Sequence, residues 1–193
     1  MRVVIAGAGS PAGNATASAL RERGHEVIEI GPDECDLRDF AAVQALAERL
    51  GHVDGVIHLV GGWRGGGGLA GQSDEDWDWL QTMIVGTLRN TTRAFLDAIA
   101  SSPAGRFAIV SQTGVAKPTA GNANYLAAKA AAETWLLAVG HALKDTPGRV
   151  HIERVMALYS DTDVEQNPDK DFSRQTHVTE LGQRLANLFD PAE

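Results

Sequence analysis

At 193 residues, 44% hydrophobic and 22% charged, the chain has the apolar content of one ordinary domain with a sizeable core, which argues against disorder. Its 17 basic and 25 acidic residues give a formal charge of -8 with no basic block or stripe, so neither nucleic acid nor an anionic membrane surface is an expected partner. The lone Cys35 cannot close an internal disulfide, and Met1 leads into an apolar strand without a signal-like segment or a long apolar span; a cytoplasmic location is expected.

Runs rich in β-branched residues alternate with longer alanine- and leucine-rich segments of helical period. A strand over 3–6 is followed by a helix over 13–23, a strand over 26–30 and a very short strand through Cys35. A helix over 40–50, a strand over 55–60 and a long helix over 74–100 come next. A strand over 106–111, a helix over 123–143, a strand over 150–156 and a helix over 179–189 complete the series. This alternation is the pattern of an α/β fold, a doubly wound parallel sheet of about six strands with helices on both faces. Ser73 ahead of Asp74, Glu75 and Asp76 is a strong helix start, and Pro103 with Gly105 is a stop. Residues 61–72, which begin GGWRGGGGLAG, are expected to form a mobile loop on the ligand side of the sheet, because they follow a strand. Residues 160–178 are expected to form a second loop on the substrate side.

VVIAGAGSPAGNATASAL places Gly7, Gly9 and Gly13, with Ser10, Pro11 and Ala12 between the last two, at the turn from the first strand into the first helix. Bare backbone there lets a pyrophosphate approach a helix amino terminus, so a nucleotide cofactor is the natural ligand. The same glycines also serve tight packing alone. With no linker or repeat in the chain, residues 1–193 read as a single dinucleotide-binding, Rossmann-like domain, and no metal site is expected.

Tyr125 and Lys129 in NANYLAAKAAAE stand four residues apart in a helical segment and so share one face. A phenol of pKa about 10 exchanges protons poorly near neutrality, and an adjacent ammonium is expected to lower it toward the working range. This is the layout of a tyrosine acid/base.

Together these motifs resemble the short-chain dehydrogenase/reductase family of NAD(P)-dependent oxidoreductases, and the likeness runs over nearly the whole chain. AGAGSPAG, residues 6–13, resembles the family's TGxxxGxG, with Pro11 in place of the middle glycine. CDLRD resembles the segment whose aspartate binds the adenine amino group, which implies that role for Asp36 with Leu37. HLVGG falls where the family has NNAG, keeping Gly61 and replacing the asparagines by His58 and Leu59. His58 reads as a packing residue and is assigned no chemistry.

YLAAK resembles the family's YxxxK. The resemblance implies that Tyr125 exchanges a proton with the substrate oxygen, while Lys129 binds the nicotinamide ribose and lowers the Tyr125 pKa. The family's serine, thirteen residues before the tyrosine, corresponds to Gln112, with Ser111 adjacent. Neighbouring strand side chains point to opposite faces, so either Ser111 or Gln112 is the candidate to polarise the substrate oxygen. The family's helix asparagine corresponds to Met83, its Pro-Gly to Ala157 and Leu158, and Thr162 matches a threonine that touches the nicotinamide carboxamide. An acidic residue that favours NAD is replaced by Gly31, which implies a slight preference for NADP that Asp33 and Glu34 could reverse. The chain ends at DPAE, before the position of the family's seventh strand, so an open substrate pocket is expected.

The resemblance further implies a homodimer or homotetramer through the two long helices, which carry Trp77, Leu80, Ile84, Leu88, Trp135 and Leu136. An oxidoreductase acting on a small carbonyl or alcohol is the leading expectation. A catalytically degenerate dinucleotide-binding regulator, or a scaffold whose turn is blocked by Pro11, is the alternative.

Overall fold

The computed structural model describes residues 1–190; residues 191–193 of the terminal DPAE lie outside the described residues. β1 (Arg2–Ala6), β2 (Glu26–Ile30), β3 (Gly55–His58), β4 (Arg106–Gln112) and β5 (Arg149–Val155) form one sheet in the order β2-β1-β3-β4-β5. Every neighbouring pair is parallel, and the registers pass straight across, as in Val4 beside Val56 and Val56 beside Phe107. The doubly wound α/β fold is therefore present with five strands in the main sheet.

The strand expected through Cys35 does not form. Segment 31–39 is instead a closed turn, in which Cys35 N–H donates to the Gly31 carbonyl at 3.2 Å and Gly31 N–H donates to the Glu34 carboxylate at 2.7 Å. Asp39 then caps α2 (Phe40–Leu50) directly. A second, two-stranded ribbon joins β6 (Leu158–Tyr159) to β7 (Thr176–His177). Between them, part of the expected 160–178 loop is helical: α6 (Asp161–Gln166) starts on a capping box in which Ser160 and Asp163 satisfy one another's backbone amides.

The first helix, α1 (Pro11–Glu22), and the last, α7 (Val178–Ala186), pack on one face of the sheet around Ile5, Leu20, Leu181 and Phe189. The opposite face carries α2, α3 (Asp74–Leu80), α4 (Thr87–Ser101) and α5 (Ala123–Ala142), packed around Val56, Leu88, Phe107 and Leu136. The segment expected as one helix over 74–100 is continuous but widens into a π-helix at Gln81–Gly86. There Thr87 N–H reaches back to the Thr82 carbonyl, one residue beyond the α-helical partner.

Strand alternation sorts the residues at the carboxyl edge of the sheet. His58 and Ser111 share the parity of Val56, Phe107 and Ile109, whose side chains join the core beneath α4 and α5. Gln112 has the opposite parity, shared with Ala108 on the face covered by α1 and α7.

Candidate active site

Parallel strands place their carboxyl ends together, and the crevice opens where the strand order reverses, between β1 and β3. A cleft of about 450 Å³ occupies that position. Its walls include Ser10, Pro11 and Ala12 at the start of α1, His58 to Trp63 after β3, Val110 to Gln112, Tyr125 and Lys129 on α5, and Val155 to Tyr159.

The glycine turn is built for close approach. Gly7 has φ +88°, and a Cβ there would meet the Leu59 backbone at 2.9 Å; a Cβ on Gly13 would stand 2.5 Å from two carbonyl oxygens. Gly9 has nothing within 4 Å, so open space lies beside it. Ser10 is the N-cap of α1, accepting from Gly13 N–H at 3.0 Å and donating to the Gly7 carbonyl at 2.9 Å. Pro11 occupies the first turn, where a missing N–H costs nothing and the fixed φ suits the helix. It starts the helix rather than blocking it.

On α5, Tyr125 and Lys129 lie one turn apart, and both line the cleft. Part of Lys129 is open to the cleft, but its ammonium is enclosed by protein and donates to the Val110 carbonyl at 2.8 Å. Nζ stands 5.7 Å from the Tyr125 ring centre. Burial pushes the lysine pKa down to about 8, against the pull of Glu133 one turn further on. The Tyr125 phenol moves up, not down, because its own burial decides the shift. The expected lowering by Lys129 is thus absent, and Tyr125 remains a protonated acid near neutrality.

Ser111 and Gln112 separate clearly. Gln112 accepts from Gly114 N–H and donates from Nε2 to the Met156 carbonyl at 3.0 Å, so its amide stitches the end of β4 to the end of β5. Ser111 is buried and lines the cleft, and its hydroxyl supports the Glu133 carboxylate. It lies toward Glu133, the buried carboxylate that pairs in bidentate fashion with Arg154 at 2.6 and 3.0 Å. Burial alone would raise the Glu133 pKa, but the Arg154 hydrogen bonds outweigh it, helped by Ser111 and by the Arg154 and Lys129 charges, so the pKa falls. Glu133 was not among the expected site residues; its signal was its place four residues after Lys129.

The remaining candidates are distributed around this centre. Gly61 lines the cleft, whereas Asp36, Leu37 and Thr162 do not. Asp36 is exposed and closed onto Arg38 by two 2.8 Å hydrogen bonds, which hold its pKa at about 2. Leu37 is buried, and its carbonyl accepts from Asn90 at 3.0 Å. Thr162 is exposed on α6. Met83 is likewise outside the cleft lining, while Ala157 and Leu158 are in it.

The glycine-rich loop contacts the approach of α5: Gly66 N–H donates to the Gly121 carbonyl at 2.7 Å and Trp63 Nε1 to Asn122 at 2.9 Å. Among the described residues no group of His, Cys, Asp and Glu is arranged to hold a metal ion.

A family model for short chain dehydrogenases matches residues 1–172. The chain belongs to that family. Solved structures with the same fold include ElxO with NADP bound, 13% identical with a TM-score of 0.84, covering 98% of this chain and 91% of that one. A short chain oxidoreductase from Pseudomonas aeruginosa, bound to NADPH and described as containing an atypical catalytic center, is 19% identical with a TM-score of 0.81, covering 98% and 90%. A short-chain dehydrogenase/reductase from Vibrio parahaemolyticus is 20% identical with a TM-score of 0.75, covering 96% and 89%. Comparison with curated proteins finds no match. NAD(P)-dependent oxidoreductase chemistry is the activity of this family in general.

The residues present fit a dinucleotide. The start of α1 and Lys129 line the same cleft, together with Ser111 and His58.

The lysine shift has a measurable consequence. Its folded pKa of about 8 lies below its ordinary 10.5, so between these values the unfolded chain binds more protons and stability rises with pH. Wild type is expected to gain thermal stability on Lys129→Met as pH increases from 8 to 10, followed by calorimetric unfolding midpoints. Parallel curves for the two proteins would contradict an enclosed, titrating ammonium.

Proposed function

We propose that this protein reduces a small carbonyl compound, or oxidises the corresponding alcohol, with Tyr125 as the proton-exchanging group and NAD(P) as the redox partner. The observation that carries the reading is the meeting of Tyr125, Lys129 and Ser111 in one cleft beside the start of α1. The nicotinamide, when bound, supplies or takes up the hydride. In reduction Tyr125 would give its proton to the carbonyl oxygen, and the phenolate would recover a proton from solvent. A raised phenol pKa suits the acid role. The Lys129 ammonium compensates the phenolate as it forms and, by resemblance, holds ribose hydroxyls. Ser111 is the better donor to the reacting oxygen, because the Gln112 amide is engaged by Gly114 and Met156.

The same engagement of Gln112, with Met83 in the asparagine position, favours as second reading a nucleotide-binding regulator without turnover. Tyr125→Phe separates the two. Turnover on a carbonyl panel is expected to fall by at least about a hundredfold with NADH affinity kept within about threefold. Unchanged turnover sinks the mechanism, and absence of turnover in the wild type favours the regulator.

Gly31 removes one carboxylate from the end of β2, but Glu34 returns another by accepting from Gly31 N–H. The nearest guanidinium in that segment, Arg38, is held by Asp36. The ground for preferring NADP is thereby weakened, and we read NADH as the tighter ligand. Glu34→Gln is expected to narrow the NADH-over-NADPH affinity ratio by roughly fivefold, the scale of one exposed charge contact. An unaltered ratio in calorimetric titrations rejects this role for Glu34.

Trp77 and Leu137 are 42% and 59% exposed on α3 and α5, which supports pairing of two copies through these helices. Light scattering should report a dimer or tetramer; a monomer at micromolar concentration removes this part. Among the described residues no helix is long and apolar enough to cross a membrane. With Cys35 free, we place the protein in the reducing cytoplasm.

A further inference from the structure

Trp63 is 60% exposed and lines the same cleft as Tyr125. Its one polar group is engaged, because Nε1–H donates to the Asn122 side chain at 2.9 Å. Asn122 is the N-cap residue of α5, three positions before Tyr125, so this bond attaches the indole to the helix that carries the phenol. Gly65 lies against the ring edge, where a Cβ would stand 3.3 Å from Trp63 Cζ2 and 2.7 Å from the Gly121 carbonyl oxygen. Among the described residues no other aromatic ring or cation packs on the indole. Trp63 therefore offers the cleft an apolar face with no hydrogen-bond donor left.

The surrounding lining has the same character, with Val60, Met156, Leu158 and Val178 all apolar. Tyr159 also lines the cleft, but its ring is already packed: Phe172 stacks on it at 4.8 Å between ring centres, and His177 meets it edge-on at 4.9 Å. Among the described residues, Lys129 and Asp163 are the charged groups in the lining. The Lys129 ammonium donates to the Val110 carbonyl, and the Asp163 carboxylate accepts from Ser160 N–H at 2.8 Å and Oγ at 2.6 Å. Arg64, next to Trp63 in sequence, is not in the lining; its guanidinium reaches Asp76 at 3.1 Å and lies 4.2 Å over the Trp79 ring. A charged substituent beside Trp63 would lose water without gaining a free counter-charge, whereas a planar uncharged ring gains contact with the indole face.

We propose that Trp63 is a specificity-determining residue that selects an uncharged aryl-substituted carbonyl, or the matching aryl alcohol, by taking the aryl ring against its indole. The aliphatic walls accept any apolar group of suitable size, and Trp63 separates a planar ring from a saturated one. The inference deepens the oxidoreductase reading and rests on it for the reaction, but not for the binding.

NMR of the four tryptophan indole N–H groups tests it without reference to turnover. Trp63→Leu identifies the Trp63 resonance by its loss. In wild-type protein with NADH present, that resonance should move saturably as benzyl alcohol is added. It should move less with cyclohexylmethanol, which has the same reach but no flat ring, and not at all with 4-(hydroxymethyl)benzoate. Trp63→Leu keeps an apolar wall and should weaken benzyl alcohol binding about fivefold, and Trp63→Tyr should restore most of it. In turnover, the ratio of kcat/KM for benzaldehyde to that for propanal should fall by about the same factor in Trp63→Leu, through KM.

Equal binding of benzyl alcohol and cyclohexylmethanol, or benzyl alcohol binding indifferent to Trp63→Leu, would overturn the aryl site. So would a Trp63 resonance that moves on dilution of the protein but not with benzyl alcohol, since the indole is then covered by a second copy. Turnover of propanal alongside any of these results keeps the oxidoreductase reading and removes the aryl site alone. Benzyl alcohol binding that depends on Trp63, without turnover of any carbonyl, supports the aryl site and removes the reaction.

Discussion

An ammonium is costly to enclose in protein, and the cleft is organised around how Lys129 is kept there. Its Nζ rests on the Val110 carbonyl, with the Glu133 carboxylate a turn away on the same helix. Glu133 is in turn committed to Arg154, so it supports the lysine charge from a distance without neutralising it. The result is a cation with donors to spare, a neutral histidine and a serine hydroxyl lining one crevice. Such a constellation is poorly satisfied alone and well satisfied by a ligand that brings oxygen and hydroxyl groups.

The fold supplies the crevice by topology. Parallel pairing sends β1, β3, β4 and β5 toward the same edge, and the β1/β3 reversal leaves a gap that the first helix enters end-on. Ser10 and Pro11 start that helix in a way that tolerates loss of the middle family glycine. On the opposite side, the π-helical turn between α3 and α4 positions Thr87 against His58. The Thr87 hydroxyl, donating to the Met83 carbonyl, is left to accept from the His58 ring.

Much of this architecture is legible in the sequence. Alternation of β-branched runs with alanine-rich helices defines the doubly wound sheet, and the four-residue spacing of Tyr125 and Lys129 requires only a helix to place them on one face. The missing strand at Cys35 was not readable, because its loss depends on Glu34 folding back onto Gly31. The direction of the Tyr125 shift was not readable either: spacing reports proximity to a charge, whereas burial depends on the surrounding core. Strand parity separated Ser111 from Gln112 in principle, yet only packing tells which parity faces α5. One histidine in an apolar run carries no such signal; the contact of His58 with the Thr87 hydroxyl, twenty-nine residues away, depends on the fold.

The Tyr125–Lys129 pair matches the family pattern while positions around it depart from it. Serine is displaced by one register position, asparagine is replaced by Met83, and histidine enters at the end of β3. Tyr125, Lys129, Ser111 and His58 line one cleft, so a dinucleotide in that space is the central claim. Calorimetric titration of the wild-type protein with NADH tests it most directly. Saturable binding of one nucleotide per chain is the predicted result, and the absence of any binding heat at millimolar NADH across several temperatures would contradict the account.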